Sequence, residues 1–398
     1  MNRNMKIQTI QEAEEQLRQL GVTDGGVACM APKCLSLCIK LHDVAVGAAN
    51  ILKQEMLSLG GDAAVARGVV NGSTLRSDVL LLGTVAKLQK LVDKLSRQSF
   101  FGLDAIRQEV AQCIRLQLAP ITSMQCGATT LHFSTPAIMG ILNVTPDSFS
   151  DGNKWLSHDA AVEYALQMIE DGAQIIDIGG ESTRPGAAEV TAEQEIARVM
   201  PVIETLRRHT DCPISIDTHK AVVADAALAA GASIINDISA FTMDAAMVDV
   251  ALHYPAAPLI LMHMQGTPQT MQNNPHYHDV MNDILGYLAG RIQYCTEAGI
   301  ARERIIIDPG VGFGKSHTDN LTILRRLEEF RALGVPVLLG ASRKSFINRI
   351  YPAVPEDRLE GSLATTAQAF YQGAAIVRVH DVKAHKRLLD VLRAIREG

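Results

Sequence analysis

From Pro136 to the C-terminus, eight short runs rich in Val, Ile and Leu alternate with stretches whose apolar residues recur at helical spacing. The runs are AIMGILNVT, QIIDIGG, PISIDT, SIINDIS, PLILMHM, RIIIDPG, PVLLGAS and AIVRVH. Near-continuous aliphatic runs of this length are strands buried on both faces, and parallel strands need crossovers between them. The crossovers are present as HDAAVEYALQMIEDG, AEQEIARVMPVIETLRRH, KAVVADAALAAG and DVMNDILGYLAGRIQYCTEAG, several closing on a Gly that suits a helix C-terminus. Strand then helix, eight times over, predicts an α/β fold, a (β/α)₈ TIM barrel over residues 126–398; an open doubly wound sheet is the rival arrangement.

The chain has 398 residues, more than the ~250 such a barrel takes, so a second domain is expected. Residues 1–125 carry a different pattern. CLSLCIKLH, AVGAANILKQEMLSLGG, DAAVARGVV, DVLLLGT and VAKLQKLVDKLSRQ read as a β-α-β-β-α unit, a small α+β domain. The following QLAPITSMQCGATT either links it to the barrel or begins the barrel's N-terminal cover. With 47% hydrophobic and 20% charged residues the composition is that of a folded globular chain. No apolar run approaches the ~18 residues of a membrane span, and the start, MNRNMKIQTIQEAEEQ, lacks a signal-peptide core, so a cytoplasmic protein is expected. A net charge of -6 argues against general nucleic-acid binding, and seven cysteines without a secretion signal read as reduced thiols.

In a barrel of this kind the site forms where the strands end, and this chain places polar strings at every such position: NVTPDSFSDG, DIGGESTRPGA, IDTHK, NDIS, MHMQG, DPGVGFGK, GASRKS and RVHD. Each string alone also reads as turn and helix-cap chemistry. Eight in succession point to a site. In order and over the whole barrel, MGILNVTPDSFSDG, DIGGESTRPGA, SIDTHK, IINDIS, LMHMQGTP, DPGVGFGK, GASRKS and RVHD resemble the dihydropteroate synthases. That resemblance implies a transferase of folate biosynthesis. It would join the methylene of a dihydropterin pyrophosphate to the amine of p-aminobenzoate, with pyrophosphate leaving and Mg²⁺ assisting.

The resemblance also implies roles for individual residues. Asp217, Asn236, Asp308 and Lys344 would line the aminopyrimidinone edge of the pterin, between walls formed by Met262 and Phe313, with Gly340 beside them. Asn143, Arg184, Arg378 and His380 would meet the pyrophosphate, joined by backbone N–H groups of a helix opening after Gly340-Ala341-Ser342. Asn143 is the candidate Mg²⁺ contact, although one amide oxygen is a weak site without substrate phosphates, so the metal reads as substrate-borne. Thr183, Pro185, Phe313, Lys344 and Ser345 would surround p-aminobenzoate, with Asp147, Ser148 and Phe149 on a second loop. Lys344, Arg378, His380 and Asp177 are the candidate catalytic groups; Asp177 could orient a loop or a metal-bound water. The family expectation for assembly is a homodimer. Without the resemblance, Asp308 before Pro309-Gly310 reads equally as a turn former, Met262 as core, Asp147 to Phe149 as a capped turn, and Arg378 and His380 as rim residues solvating a loop.

Other signals point elsewhere. Gly310 to Lys315 looks like a phosphate loop, but its spacing does not fit the Walker pattern. Cys29, Cys34 and Cys38 lack CxxC spacing, and the last two fall in an apparent apolar strand, which predicts buried free thiols. His263 reads as a satisfied barrel residue. A corrinoid methyltransferase is the nearest alternative enzyme, yet it needs no pyrophosphate site; an inactive pterin-binding protein or a fusion with a neighbouring folate enzyme are further alternatives. For residues 1–125 the sequence favours a structural or oligomer-forming role over ligand sensing.

Overall fold

The computed structural model describes residues 2–145, 158–182 and 189–397, and the chain divides after Pro120 into units Met1–Pro120 and Ile121–Gly398. The first unit holds a three-stranded antiparallel sheet of β1 (Ser36–Ala45), β2 (Asp62–Val65) and β3 (Arg76–Thr84), with β3 in the middle. Helices Val46–Ser58 and Val85–Leu95 follow β1 and β3, giving the expected β-α-β-β-α order with a short helix, Arg67–Asn71, before β3. Leu88, Leu91 and Leu95 recur at three- and four-residue spacing and pack with Leu52, Met56 and Leu81 in one solvent-free cluster.

Three further helices were not anticipated: Ile10–Gln19, Asp24–Cys34 and Leu103–Leu118. The first two are opened by Thr9 and Thr23, whose hydroxyls accept from the N–H groups of Glu12 and Gly26. They correct the reading of the thiols. Cys34 ends a helix and is not in a strand, and Cys29, Cys34 and Cys38 are exposed, because the apolar run begins at Leu35 and its outward positions include Cys38. All seven cysteines are free.

The second unit opens with a hairpin of β4 (Ser123–Cys126) and β5 (Thr129–His132), so a boundary at 125/126 would cut through β4. Eight strands follow: β6 (Ala137–Asn143), β7 (Ile175–Gly179), β8 (Ile214–Asp217), β9 (Ile234–Asp237), β10 (Leu259–Met262), β11 (Ile305–Asp308), β12 (Leu338–Leu339) and β13 (Ile376–Val379). They pair in parallel in the order β11-β10-β9-β8-β7-β6-β13-β12. A parallel bridge from Ile307 to Val337 joins the two ends into a ring, so the (β/α)₈ barrel replaces the doubly wound rival.

Strand period decides what the barrel encloses. Ile138, Ile176, Ile178, Ile216, Leu261, Ile307 and Val379 face outward into the helix layer, while Met139, Ile175, Ile234, Ile260, Ile306, Leu338 and Ile376 form a separate cluster inside. Met124, Cys126 and Leu131 of the hairpin join the inner cluster and plug the N-terminal end, the cover that QLAPITSMQCGATT could begin. The helices start cleanly: Thr191 with Gln194 and Ser316 with Asp319 make reciprocal capping boxes. Ile260 is fully buried in the inner layer, so Ile260→Ala should cost about 2–5 kcal/mol in urea unfolding. A loss below about 1 kcal/mol would show that this layer is not packed.

Candidate active site

The alternation that fills the barrel floor with aliphatic residues turns polar one layer higher. Two residues beyond Ile175, Ile234, Ile306 and Ile376 on the same strand faces stand Asp177, Asn236, Asp308 and Arg378. Neighbouring strands bring Asn143 beside Gly179, Gly179 beside Asp217, and Asp217 beside Asn236. Met262 pairs with Asp308 on the far side. The inward position after β12 is Gly340; a Cβ there would lie 3.5 Å from Asp308 Oδ2 and 3.9 Å from Arg378 side-chain carbons, so the missing side chain leaves room between them.

Arg378 organises this layer. Its Nε donates to Asp177 Oδ2 at 2.5 Å and its Nη2 to Asp217 Oδ2 at 2.6 Å. Asp177, fully buried, also accepts from Asn236 Nδ2 at 3.2 and 3.3 Å. One guanidinium thus faces two carboxylates. Burial, opposed by Arg378 and reinforced by Asp177, pushes Asp217 up to about 7, while the two carboxylates outweigh burial and hold Arg378 above its usual range. Charge-assisted contacts of this length fix the side chains before any ligand arrives.

Across the mouth, Asp308 accepts from Gly310 N–H at 2.7 Å, and burial raises its pKa against the opposing pull of Lys344. Lys344 donates to the Val311 carbonyl and lies 4.6 Å from the centre of the Phe313 ring. Burial, opposed by Asp308, brings Lys344 down to about 8. Gly310 is irreplaceable on geometric grounds: its φ is +67°, and a Cβ would meet the His263 carbonyl oxygen at 2.0 Å. Lys315, in the apparent phosphate loop, points inward and is spent on His263 Nδ1 at 2.9 Å, the His263 carbonyl at 3.2 Å and the Phe313 carbonyl at 2.9 Å. His263 is correspondingly buried.

His380 follows β13, and its Nδ1 lies 3.0 Å from the Ser342 hydroxyl. Arg343, at φ +58°, grips Asp381 through Nε at 3.0 Å and Nη2 at 2.5 Å. The helix expected after Gly340-Ala341-Ser342 is the single turn Ser345–Asn348, too short for an appreciable dipole, and Ser345 is exposed at its start. Thr183, Arg184 and Pro185, like Asp147, Ser148 and Phe149, lie outside the described residues. The structure therefore gathers Asn143, Asp177, Asp217, Asn236, Met262, Asp308, Gly340 and Arg378 in one layer, with Phe313 and Lys344 above. Ser342, Arg343 and Asp381 went without roles in the sequence reading, though GASRKS and RVHD contain them. Glu181, Lys220 and Glu195 form a further cluster that only the fold reveals.

A (β/α)₈ barrel with a preorganised polar layer at its C-terminal mouth defines an enzyme of the barrel class. The family model "Pterin binding enzyme" matches residues 139–380, and the chain belongs to that family. It is 48% identical over 266 residues to the dihydropteroate synthase of Escherichia coli, covering 67% of this chain and 94% of that one. A probable bifunctional folylpolyglutamate synthase/dihydropteroate synthase of Halobacterium salinarum is 39% identical over 392 residues, 98% of this chain and 47% of that longer protein. Among solved structures, Xanthomonas albilineans dihydropteroate synthase with 4-aminobenzoic acid superposes with TM-score 0.66 at 44% identity, covering 70% of this chain and 99% of that one.

Two substitutions test the geometry. Arg378→Met strands the buried Asp177 carboxylate and should destabilise the barrel by about 3–5 kcal/mol. Gly310→Ala should cost about 3 kcal/mol through strain and the carbonyl clash. Either variant unfolding in urea like the parent would contradict the corresponding contact.

Proposed function

We propose that this chain is a dihydropteroate synthase, condensing 6-hydroxymethyl-7,8-dihydropterin pyrophosphate with p-aminobenzoate to give 7,8-dihydropteroate and pyrophosphate. The observation that carries the reading is the inward layer of carboxylates, an amide and an arginine, in which Gly340 leaves room between Asp308 and Arg378. The pterin ring presents paired N–H donors on one edge and a carbonyl on another. Asp217 and Asp308 accept from such donors, Asn236 adds an amide, and the Lys344 ammonium donates to the carbonyl side. Met262 and Phe313 bound the ring, and their apolar surfaces keep water from its faces.

The pyrophosphate end meets Arg378, His380 and, by the family's pattern, Arg184. Asn143 offers one neutral oxygen, and among the described residues no group of three or more His, Cys, Asp or Glu surrounds a metal position. That donor set fits an ion brought by the substrate: Asn143 would help to hold such a Mg²⁺, whose chemistry would be to neutralise leaving-group charge. Arg378 is already oriented by Asp177 and Asp217, so its charge is in place when the C–O bond ionises. The aryl amine then attacks the pterin methylene and loses its proton afterwards, a dissociative order that needs no base beforehand. Thr183, Pro185 and Ser345 belong to the p-aminobenzoate side of this account.

The reading extends to assembly and place. Exposed Tyr371, Val391 and Ile395 on the last two helices suit a homodimer, and no helix among the described residues is long and apolar enough to cross a membrane, in keeping with a cytoplasmic enzyme. Residues 1–125 serve structure or assembly. The Halobacterium relative aligns across nearly all of this chain, so the unit is shared within part of the family.

The test is binding and turnover in the parent and in Lys344→Ala, which should lose pterin affinity and kcat/KM together by about 100-fold. Unchanged kcat/KM would remove Lys344 from the site. Because Asp217 loses its proton near pH 7 and Lys344 loses its proton near pH 8, pterin affinity in the parent should rise up to about pH 7.5 and fall as pH rises above about 8. An affinity that goes on rising above about pH 8 would reverse the Lys344 assignment.

A further inference from the structure

The turn after β12 sends three consecutive side chains to two different walls of the barrel mouth. β12 stands between β13, with which it pairs, and β11, reached through the Ile307–Val337 bridge. Ser342 and Arg343 reach toward the β13 side. The Ser342 hydroxyl lies 3.0 Å from His380 Nδ1 and accepts from the His380 N–H at 3.3 Å. Arg343 holds both oxygens of Asp381, through Nε at 3.0 Å and Nη2 at 2.5 Å. Lys344 goes the other way, to the Val311 carbonyl and the Phe313 ring on the turn after β11. The change of wall falls between Arg343 and Lys344.

The backbone shows how it is made. Lys344 N–H donates to the Ala341 carbonyl at 3.4 Å, closing a tight turn whose third residue, Arg343, has φ +58°. Glycine ordinarily fills such a position, because a side chain is strained there. An arginine in a glycine's conformation is kept where its side chain does what glycine cannot, and where the surroundings over-determine it. Its N–H donates to the Ser362 hydroxyl at 2.9 Å, and its carbonyl accepts from Arg358 Nη1 at 2.9 Å. Its guanidinium is given wholly to Asp381, the residue after His380, in a half-buried pair with 27% and 24% of the two side chains exposed. A two-point contact of this kind fixes direction as well as distance.

We infer that Arg343, gripping Asp381, is a positioning residue for Lys344 and hence for the pterin ring. The pair pins the turn to the end of β13 at the point where the chain reverses, so Lys344 leaves it toward the β11 wall while His380 is held on the other side. Neither Arg343 nor Asp381 is among the groups assigned to substrate. This inference rests on the synthase reading given above, which sets Lys344 against the ring carbonyl.

Arg343→Gly is the decisive variant, because glycine keeps the left-handed turn without strain and removes only the grip. Affinity for the pterin alcohol, which lacks pyrophosphate, should fall about tenfold, with the urea midpoint close to that of the parent. Asp381→Asn, which leaves the backbone as it is, should lose affinity in the same direction, and the double variant should be within about twofold of the weaker single one. Added to Lys344→Ala, Arg343→Gly should cost less than about twofold more, since no ammonium is left to place. An unchanged pterin-alcohol affinity in Arg343→Gly overturns the inference. So does a further loss of about tenfold when the change is added to Lys344→Ala, which would mean support of the fold as a whole. Should Arg343→Gly fail to fold, Asp381→Asn with and without Lys344→Ala decides by the same criterion. A parent that forms no dihydropteroate, or a Lys344→Ala variant that binds the pterin alcohol as the parent does, would instead refute the synthase reading, so the two failures are told apart without the Arg343 variants.

Discussion

A buried guanidinium shared by two carboxylates is the constraint on which the rest of the barrel mouth depends. Arg378 reaches across the inside of the barrel from β13 to Asp177 on β7 and Asp217 on β8, and Asn236 on β9 completes the chain through Asp177. Four strands are thereby locked at their C-terminal ends. Burial, opposed by Arg378 and reinforced by Asp177, raises the pKa of Asp217, so its ionised carboxylate is a strong acceptor for an N–H-bearing ring. The opposite wall is built on another principle. There Lys344 has backbone and ring partners and a lowered pKa, so it is a poor match for water and a good one for a ligand carbonyl.

Much of this follows from the period of a strand. Once AIMGILN, IIDIG, ISID, IIND, LILM, IIID and IVRV are read as strands, alternate residues face inward, and most of the inward polar ones stand in the later half of their strands, LILM carrying none. Strand ends and the family resemblance together mark Asn143, Asp177, Asp217, Asn236, Asp308 and Arg378 as candidates in the sequence; the fold sets them in one layer. The sequence does not mark their pairing. Arg378 lies 201 residues from Asp177 and 161 from Asp217, and no local pattern reveals which carboxylate a distant arginine chooses. Sequence pointed Arg378 at pyrophosphate; in the fold it is first a bridge between carboxylates, with its remaining donor capacity left for an anion.

The misreadings have separate causes. Apolar neighbours make Cys34 and Cys38 read as buried strand residues, whereas β1 starts only at Ser36, after Cys34, and Cys38, though in the strand, lies on its solvated face. Ile10–Gln19 has a narrow apolar face and Asp24–Cys34 is interrupted by Gly and Pro, so neither stands out in the sequence, whereas Leu103–Leu118 has an apolar face that the sequence does carry. The cluster of Lys220, Glu181 and Glu195 was invisible for the same reason as the Arg378 bridge: its members stand on different elements and meet only in the folded chain.

The most direct test of this account is a crystal structure of the protein soaked with dihydropterin pyrophosphate. The ring should lie between Met262 and Phe313, its N–H edge toward Asp217 and Asp308 and its carbonyl toward Lys344, with the phosphates near Asn143, Arg378 and His380. A ring bound outside this layer, or phosphates seated on the Gly310 to Lys315 turn, would contradict it.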